Sequence, residues 1–421
     1  KVDAFRFDIM SMIPKAAMLQ ALGAVNAVAA KDGRGHTYFY GEGWTPNSAV
    51  SAVITPATQA NLAGTGIGTF NDRLRDAVRG GSPFDSGAAL TAHQGFINGL
   101  CYNLNPGDTP DCTGDSGDAL FVLQNRISVG LAGNLASFPL RAGVNGAQVD
   151  YNGSPTGYTQ QPQENLAYVA CHDNETLFDI SQYKHPAGVS VPDAGRAQVV
   201  GLSLVLLAEG VAFVHGADDL LRSKSGDSNS FDSGDYFNRI YWDGSANNWS
   251  VGLPPQNTGN NVANAGTLGP LLSSRPVPDA TTIAAVTARF QEFLAIRRST
   301  DLFRLGSAAD IDKCVSFPDQ GRQVHGLIVE QILGVGCVSA TGSGYDSVVI
   351  LYNASTSAQS FSLASFAGVA QGSGSGQVSL HPVQAGGSDA TLLAGWNFTS
   401  NAASGTFTVP ARTTAVFVRH H

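Results

Sequence analysis

Residues 2–42, VDAFRFDIMSMIPKAAMLQALGAVNAVAAKDGRGHTYFYGE, decide the fold that we predict for the first part of the chain. Residues 2–8 alternate apolar and polar side chains, which is typical of a strand. Pro14 stands at the start of an Ala/Leu-rich helix that runs to about Ala30. A short aromatic strand, Tyr38–Tyr40, comes next. A strand, a helix and a strand within about 40 residues have the length of a right-handed βαβ unit in a parallel sheet.

Three further apolar segments continue this pattern. Arg126–Gly130, Leu166–Cys171 and Val211–His215 are predicted to be buried strands, and an apolar helix at Asp193–Ala208 precedes the last of them. Repeated βα units predict an α/β fold with a parallel barrel, whose chemistry lies at the carboxyl ends of the strands. Because the sequence offers five such strands, we expect a partial (β/α)8 barrel, about strands 4 to 8, with the missing strands upstream of Lys1.

The character of the sequence changes near Leu305. Before it, Asp279 to about Arg298 predicts a helix with an Asp cap and a set of apolar side chains at helical spacing, namely Ile283, Val286, Phe290, Phe293 and Leu294. After it, alternating segments such as SVVILYNAS, separated by Gly/Ser turns, predict an antiparallel β-sandwich. We therefore expect two domains, residues 1–305 and residues 306–421.

Composition and charge limit the partners. The 421 residues carry 24 Lys plus Arg against 33 Asp plus Glu, a formal net charge of -9. This balance argues against nucleic acid or an anionic membrane as partner, because both require a basic surface. The apolar stretches are shorter than the roughly 20 residues that span a bilayer. The first residues lack the features of a signal peptide and an initiator Met, so we expect the sequence to begin within a longer or processed protein.

The five cysteines contain no CxxC pair, which excludes zinc-ribbon and thioredoxin-type sites. Cys101 and Cys112 bracket one loop, and Cys314 and Cys337 flank an apolar run. Either pair could form a disulfide in an oxidising compartment, with reduced buried thiols as the alternative. Cys171 has no evident partner.

Two further patterns are weaker signals of ligand binding. The Asp-rich loop Asp108–Asp118 could hold a structural calcium ion, but it lacks EF-hand spacing and a solvated loop is the stronger interpretation. Gly64–Gly68, GTGIG, has its third Gly too early for a dinucleotide-binding fingerprint. Neither pattern predicts a required cofactor.

Three acidic residues stand at the ends of predicted strands: Asp8 in FRFD, Glu42 in YGEGW and Asp173 in ACHDNE. A single acidic residue after a strand is most often a turn or helix cap. Three of them at strand ends of one barrel face the same mouth, because parallel strands end at the same side. Jointly they therefore favour a site.

Each acidic residue has a companion that suits catalysis. Arg6 shares a strand face with Asp8 and can hold that carboxylate as an oriented anion. Trp44, two residues after Glu42, offers a flat apolar surface of the kind on which sugars stack, and His172 precedes Asp173. One ionised carboxylate with one protonated carboxyl group, and no metal, is what glycoside hydrolysis requires. The residues therefore predict a metal-free glycosidase site.

FRFD, GEGW and CHDN resemble three of the four signature regions of the α-amylase superfamily of retaining glycosidases. Longer segments resemble its pullulanase and limit dextrinase branch: TGIGTFNDRLRDAVRGGSPFD, GYTQQPQENLAYVACHDNETLFD and LLRSKSGDSNSFDSGDYFNRIYW. The segments NNWSVGLPP and FTVPARTTAVFV extend the likeness to the C-terminus. This resemblance implies hydrolysis of α-1,6-glucosidic branch links in pullulan, amylopectin and limit dextrins.

The resemblance also implies roles for individual residues. Asp8 corresponds to the nucleophile, Glu42 to the general acid/base, and Asp173 to the carboxylate that binds the distorted sugar ring. The implied substrate-binding residues are Arg6, Trp44, His172, Arg222, Asn229, Asp232 and Asn238. The implied partner is an α-glucan, and the chemistry requires no cofactor.

The sequence departs from the family pattern in three places. Ser11, Met12 and Ile13 follow the nucleophile where the family usually has Gly with His nearby, so contacts on the leaving-group side are expected to differ. Asn229 stands where many relatives carry an acidic residue. The family's first signature region has no counterpart, and we expect an upstream polypeptide segment to supply it and to complete the barrel.

Two alternatives come from different classes. One is another α-glucan enzyme of the same superfamily, an isoamylase or a transglycosylase, against which the long segments argue. The other is a non-catalytic glucan-binding subunit, which the loss of Asp8 or Glu42 would have favoured. The sequence does not distinguish a secreted protein from one of the plastid stroma.

Overall fold

The computed structural model of the chain describes residues 2–115, 117–256, 260–337 and 344–421. The predicted ranges 1–305 and 306–421 and the Asp108–Asp118 loop each include positions outside these described residues. Within the described ranges, no helix combines the length and the apolar character needed to cross a membrane.

Helices are distributed along the whole chain. They are α1 (Lys15–Lys31), α2 (Ser48–Val53), α3 (Gln59–Leu62), α4 (Asp72–Arg79), α5 (Ala89–Ala92), α6 (Ala119–Leu131), α7 (Leu177–Lys184), α8 (Val191–Leu206), α9 (Asp235–Asn238), α10 (Asn261–Ser274), α11 (Ala280–Ser299), α12 (Ala308–Cys314), α13 (Pro382–Ala385) and α14 (Ala390–Gly395).

Strands are short before residue 300 and longer after it. They are β1 (Ala4–Phe7), β2 (Tyr38–Gly41), β3 (Gly68–Phe70), β4 (Pro139–Arg141), β5 (Val144–Asn145), β6 (Asp150–Tyr151), β7 (Ser154–Pro155), β8 (Asn165–Ala167), β9 (Val211–Ala212), β10 (Val315–Ser316), β11 (Leu327–Leu333), β12 (Tyr345–Asn353), β13 (Gln359–Leu363), β14 (Val378–Leu380), β15 (Asn397–Ser400), β16 (Gly405–Val409) and β17 (Thr413–His420).

Five strands form a parallel sheet in the order β1-β2-β3-β8-β9. Phe7 pairs with Gly41, and Thr69 pairs with Asn165, so the carboxyl ends of these strands lie along one edge. The βαβ unit predicted from residues 2–42 is therefore present, with α1 between β1 and β2. The polar residues that follow these strands are brought to the same side of the sheet.

The predicted strand Arg126–Gly130 is wrong, because these residues belong to α6. β-Branched Ile127 and Val129 favoured a strand locally. The buried carboxylate of Asp118 instead caps the helix by accepting the backbone N–H groups of Leu120 and Phe121. A helix with a satisfied N-terminus then places both β-branched side chains in the main core.

In the parallel sheet, β3 was not predicted from the sequence, because it contains no long apolar run. Its first residue must be Gly, because a Cβ atom on Gly68 would collide with the side chains of Tyr38 and Leu166 on the neighbouring strands. The predicted strands Leu166–Cys171 and Val211–His215 overlap β8 and β9, whose residues end at Ala167 and Ala212. The remaining predicted residues form the loops at the carboxyl edge.

α8 and α11 lie close to the helices predicted at Asp193–Ala208 and at Asp279 to about Arg298. Asp279 caps α11 by accepting the backbone N–H of Thr282 at 2.8 Å, as the sequence predicted. Ile283, Val286 and Phe293 are buried in the main core. Leu294, which was predicted to pack with them, is instead 39% exposed.

The C-terminal part contains two antiparallel sheets, as predicted. One has the order β10-β11-β12-β17-β14 and the other β13-β16-β15. An aromatic cluster fills the space between them; it includes Phe361, Phe366, Phe398, Phe407 and Phe417. The opposite face of the larger sheet, through residues such as Ile328 and Ile350, packs into the main core with α8 and α11.

Both cysteine pairs that the sequence left open form disulfides. Cys101 bonds to Cys112 and closes the loop after α5, and Cys314 bonds to Cys337 and ties α12 to the end of β11. Cys171 is a free thiol.

Candidate active site

Arg6 joins the first two predicted catalytic residues. Its Nη1 atom donates to Asp8 Oδ1 at 2.6 Å, and its Nη2 atom lies 3.3 Å from Glu42 Oε1. The register of β1 and β2, which pairs Phe7 with Gly41, places the two acidic residues side by side. Burial lowers the pKa of Arg6, but the hydrogen bond to Asp8 and the charge of Glu42 outweigh it and raise that pKa. One guanidinium cation therefore holds both carboxyl groups.

The two carboxyl groups differ in exposure. The Asp8 side chain is 66% exposed, whereas the Glu42 side chain is 12% exposed. Glu42 Oε2 accepts the backbone N–H of Ile9 at 2.8 Å. Ile9 has φ 41°, a left-handed conformation that is unfavourable for a β-branched residue. The turn after β1 thus aims a backbone donor at the buried carboxyl group, at a cost in local strain.

The departures at Ser11, Met12 and Ile13 lie in this turn. Ser11 is buried, and its backbone N–H donates to the Glu42 carbonyl oxygen at 3.2 Å. Met12 is 53% exposed, and Ile13 packs against the small core beneath α1. These residues therefore support the turn rather than offer polar groups to a ligand.

His172 and Asp173 follow β8 and reach the same edge. His172 Nε2 lies 3.3 Å from Arg6 Nη2, and His172 Nδ1 lies 3.7 Å from Asp173 Oδ1. Both side chains are more than half exposed. Arg6 consequently connects the acidic residues of β1 and β2 with the loop after β8.

A cavity of about 620 Å³ opens at this edge. Four of the predicted site residues line it: Glu42, Trp44, Asp173 and Asn229. Asp8, Arg6 and His172 contact the lining residues or one another but are not part of the lining. The structure thus brings the predicted catalytic residues to one place, with Asp8 at the exposed side of it.

Besides Arg6 and His172, three predicted binding residues lie outside the cavity lining: Arg222, Asp232 and Asn238. Arg222 Nη1 contacts His215 Nε2 at 3.0 Å, and Arg222 Nη2 donates to the Asn238 carbonyl oxygen at 3.5 Å. The Asn238 side chain donates to the Ser230 carbonyl oxygen at 2.7 Å. Asp232 ends the 3₁₀ turn that begins at Ser230, and it is exposed. Through these contacts, Arg222 and Asn238 stabilise the conformation of the loop that follows β9.

Four residues that line the cavity were not predicted from the sequence: Arg75, Asp76, Tyr151 and Tyr168. Arg75 donates from Nε to Asp76 Oδ1 and from Nη1 to Tyr168 Oη, both at 2.7 Å. Tyr151 Oη donates to Asp76 Oδ2, also at 2.7 Å. Burial is the main cause that raises the pKa of Tyr168, so its hydroxyl stays protonated. Arg75 and Asp76 lie in RLRDAVRGG and Tyr168 lies in ENLAYVACHDN, segments that resemble the family, but no spacing between these residues indicated a site.

Cys171 also lines the cavity, beside Asp173. Burial raises the pKa of its thiol, which keeps it protonated and unreactive at neutral pH. The free cysteine therefore adds a small apolar group to the wall.

Comparison with known proteins gives a family match and alignments that extend over nearly all of this chain but only part of each relative. Residues 244–420 match the family "Alpha-1,6-glucosidases, pullulanase-type, C-terminal". Pullulanase 1, chloroplastic, of Arabidopsis thaliana is 38% identical over 99% of this chain and 43% of its own length. Pullulanase of Klebsiella pneumoniae is 37% identical over 99% of this chain and 36% of its own length. The chain therefore spans less than half the length of these relatives.

The fold agrees with these alignments. A crystal structure of the maltotriose complex of PulA from Klebsiella pneumoniae has a TM-score of 0.88 and 36% identity, and it covers 100% of this chain and 43% of that one. A mixed α/β arrangement with an antiparallel sheet domain is shared.

Proposed function

Because the chain is similar throughout to the carboxyl-terminal part of pullulanases, we propose that it carries the catalytic residues for retaining hydrolysis of α-1,6-glucosidic branch links. The substrates are pullulan, amylopectin and limit dextrins. One observation carries the proposal: a single guanidinium, that of Arg6, holds the carboxyl groups of Asp8 and Glu42 beside a cavity. Retaining glycosidases need two carboxyl groups about 5–5.5 Å apart.

In the first step Glu42 donates its proton to the glycosidic oxygen of the leaving chain. Asp8 attacks the anomeric carbon and forms a covalent glycosyl-enzyme. Asp173 hydrogen-bonds the hydroxyl groups of the sugar ring and binds them more tightly as the ring flattens. In the second step Glu42 takes a proton from water, which displaces Asp8. Retention follows from the two displacements.

The other proposed site residues bind the glucan. Trp44 stacks against a sugar face, and Asn229 and His172 hydrogen-bond sugar hydroxyl groups. Arg222, Asp232 and Asn238 act through the loop that carries Asn229, in keeping with the contacts of Arg222 with His215 and Asn238.

The sheet belongs to a (β/α)8 barrel in this proposal. Strands β1, β2, β3, β8 and β9 correspond to barrel strands 4 to 8. In the described residues β1 and β9 each pair with one neighbour, which leaves room for further strands at both edges. An upstream polypeptide segment supplies them. Residues 1–305 form the carboxyl-terminal part of the barrel, and residues 306–421 form the β-sandwich.

The proposed chemistry requires no cofactor. A structural calcium ion in the Asp108–Asp118 loop stays a prediction. Asp118 already caps α6 and contacts His325 Nε2 at 2.7 Å, so its oxygens are engaged. Such an ion would have to use other oxygens of the loop.

The experiment is pullulan hydrolysis by the full-length protein, with the anomeric form of the first product read by NMR. We expect maltotriose released as the α-anomer. Asp8→Asn should abolish release. Asp32→Asn is the matched control, because Asp32 also pairs with an arginine two residues away, at 3.2 Å, and does not line the cavity. A first product in the β-form, or full activity of Asp8→Asn, would contradict the proposal.

A further inference from the structure

Lys224 is a buried cation that the proposed chemistry does not use. Its side chain lies on the loop after β9 and is 1% exposed. Its Nζ atom donates to the carbonyl oxygen of His172 at 3.0 Å and to that of Asn174 at 2.5 Å. These two carbonyl groups flank Asp173, so the ammonium group spans the residue that is proposed to bind the sugar ring.

The loop that carries Asp173 has two other side-chain contacts: His172 Nε2 lies 3.3 Å from Arg6 Nη2, and the buried Glu175 Oε2 lies 3.6 Å from Arg79 Nη2. The side chains of His172 and Asp173 are 59% and 62% exposed. Asn174 has φ 60°, in the left-handed region. In the described part of the chain, no backbone-to-backbone hydrogen bond joins residues 172–175 to another segment. The two hydrogen bonds from Lys224 therefore fix the path of this loop.

Lys224 is itself held in place. Its backbone N–H donates to Asp179 Oδ2 at 2.7 Å, and the hydroxyl of its neighbour Ser223 donates to Asp179 Oδ1 at 2.5 Å. Asp179 is fully buried in the first turn of α7. Asp179, Glu175 and Asp227 are the acidic groups that face the ammonium, and Arg222 is the basic one. This surplus of acidic groups compensates the buried positive charge.

The same contact links two walls of the cavity. Asp173 and Asn174 line it from the loop after β8, and Ser228 and Asn229 line it from the loop that carries Lys224. A change in the position of one wall is thereby transmitted to the other.

We propose that Lys224 is a positioning residue, whose ammonium group locks the His172–Asn174 backbone against the loop of Asn229 and so fixes Asp173 at the sugar ring. This inference rests on the proposed function, since it concerns the transition state that Asp173 contacts. Its effect is on kcat more than on KM, because a misplaced carboxylate loses the contact that strengthens in the transition state.

The test compares Lys224→Met, Lys224→Gln and Lys224→Arg in the full-length protein. Met fills the volume without a donor, Gln keeps a neutral donor, and Arg keeps the charge. We expect kcat on pullulan to fall about 100-fold in Lys224→Met, less in Lys224→Gln and least in Lys224→Arg. The preference for a cationic iminosugar, which mimics the charged transition state, over maltotriose should fall in the same order.

Arg297→Met is the matched control. Arg297 is a partly buried cation that likewise holds carbonyl groups, those of Leu206 at the end of α8 and of Ala208 and Gly210 in the loop after it, each at 2.8 Å, but at the amino end of β9. The Arg297→Met variant should have a lower free energy of unfolding, with kcat and the iminosugar preference unchanged. A Lys224→Met protein that folds and keeps kcat within about twofold of the native value would overturn the inference.

A second measurement separates this inference from the proposed function. The rate of limited proteolysis within residues 172–175 should rise at least about tenfold in Lys224→Gln, whether or not the protein cleaves pullulan. An unchanged proteolysis rate there, or unchanged kcat in Lys224→Gln and Lys224→Arg if Lys224→Met does not fold, would overturn it. A native protein that does not cleave pullulan would instead contradict the proposed function.

Discussion

The carboxyl edge of the parallel sheet and the interior of the C-terminal sandwich use side chains in opposite ways. At the edge, strands of two to four residues end in charged groups, and Asp8 and Asp173 are more than half exposed. In the sandwich, antiparallel strands enclose Phe366, Phe398, Phe407 and Phe417, all at most 2% exposed. The first region presents polar side chains at an open edge, whereas the second packs apolar side chains against one another. Substitutions in the two regions should therefore affect activity and stability separately.

The largest expected effect is at the edge. Glu42→Gln keeps the shape of the side chain and an acceptor for the Ile9 N–H but removes the proton donor. We expect kcat on pullulan to fall about 10²- to 10⁴-fold, with the unfolding transition unchanged. Initial rates and a thermal melt of the same preparation measure both quantities. If Glu42→Gln instead lost stability and kept kcat, the comparison between the regions would fail.

The next effect is in the sandwich. Phe407 is fully buried, and its ring centroid lies 5.0 Å from those of Phe366 and Phe417. Phe407→Ala should lower the free energy of unfolding by about 3–5 kcal/mol, because it leaves a cavity in a dry core. The activity per folded molecule should stay at the native value. Denaturant titration with parallel assays checks both.

Phe84→Ala is the matched change at the edge, since Phe84 lines the active-site cavity and is 85% exposed. It should change the free energy of unfolding by less than about 0.5 kcal/mol. A large loss of stability in Phe84→Ala, equal to that of Phe407→Ala, would contradict the division between the regions.

The next effect depends on pH and concerns a buried acid of the sandwich. Glu330 on β11 is fully buried and accepts a hydrogen bond from Tyr352 Oη at 2.9 Å. Burial raises the pKa of Glu330 from 4.5 to about 8. Its neutral form is therefore favoured by folding, and this contribution is complete below about pH 4.5 and is lost as pH rises towards about 8.

Glu330→Gln removes that titration and keeps the acceptor. Between about pH 5 and about pH 8, the variant should lose about 3–4 kcal/mol less of its unfolding free energy than the native protein does. Denaturant titrations at several pH values measure the two slopes. Equal slopes would show that Glu330 does not carry this pH dependence.

The same contrast explains how much the sequence could predict. Asp8, Glu42 and Asp173 were predictable because each follows a strand in sequence and parallel strands end together. The antiparallel sheets were predictable because β16 alternates buried and partly exposed residues and β12 carries a continuous apolar run, and both are typical strand patterns. In both cases, the pattern of neighbouring residues in the sequence is sufficient for the prediction.

Other features depend on contacts between distant residues. β3 is a three-residue strand whose Gly68 is required by the approach of Tyr38 and Leu166. The predicted strand Arg126–Gly130 is instead helical, since Asp118 caps α6 and tertiary packing overrides the β preference of Ile127 and Val129. Lys224 meets His172 and Asn174 across about 50 positions of sequence. No periodicity encodes such a contact.

The central claim is that Asp8 is the nucleophile of a retaining enzyme. An activated glycosyl fluoride, incubated with full-length Glu42→Gln, should form the glycosyl-enzyme and stall, because the fluoride leaves with little protonation and Glu42 is needed to activate water. Peptide mass spectrometry of the trapped protein should place the glycosyl group on Asp8. A glycosyl group on Asp173, or no covalent adduct while the fluoride is consumed, would contradict the account.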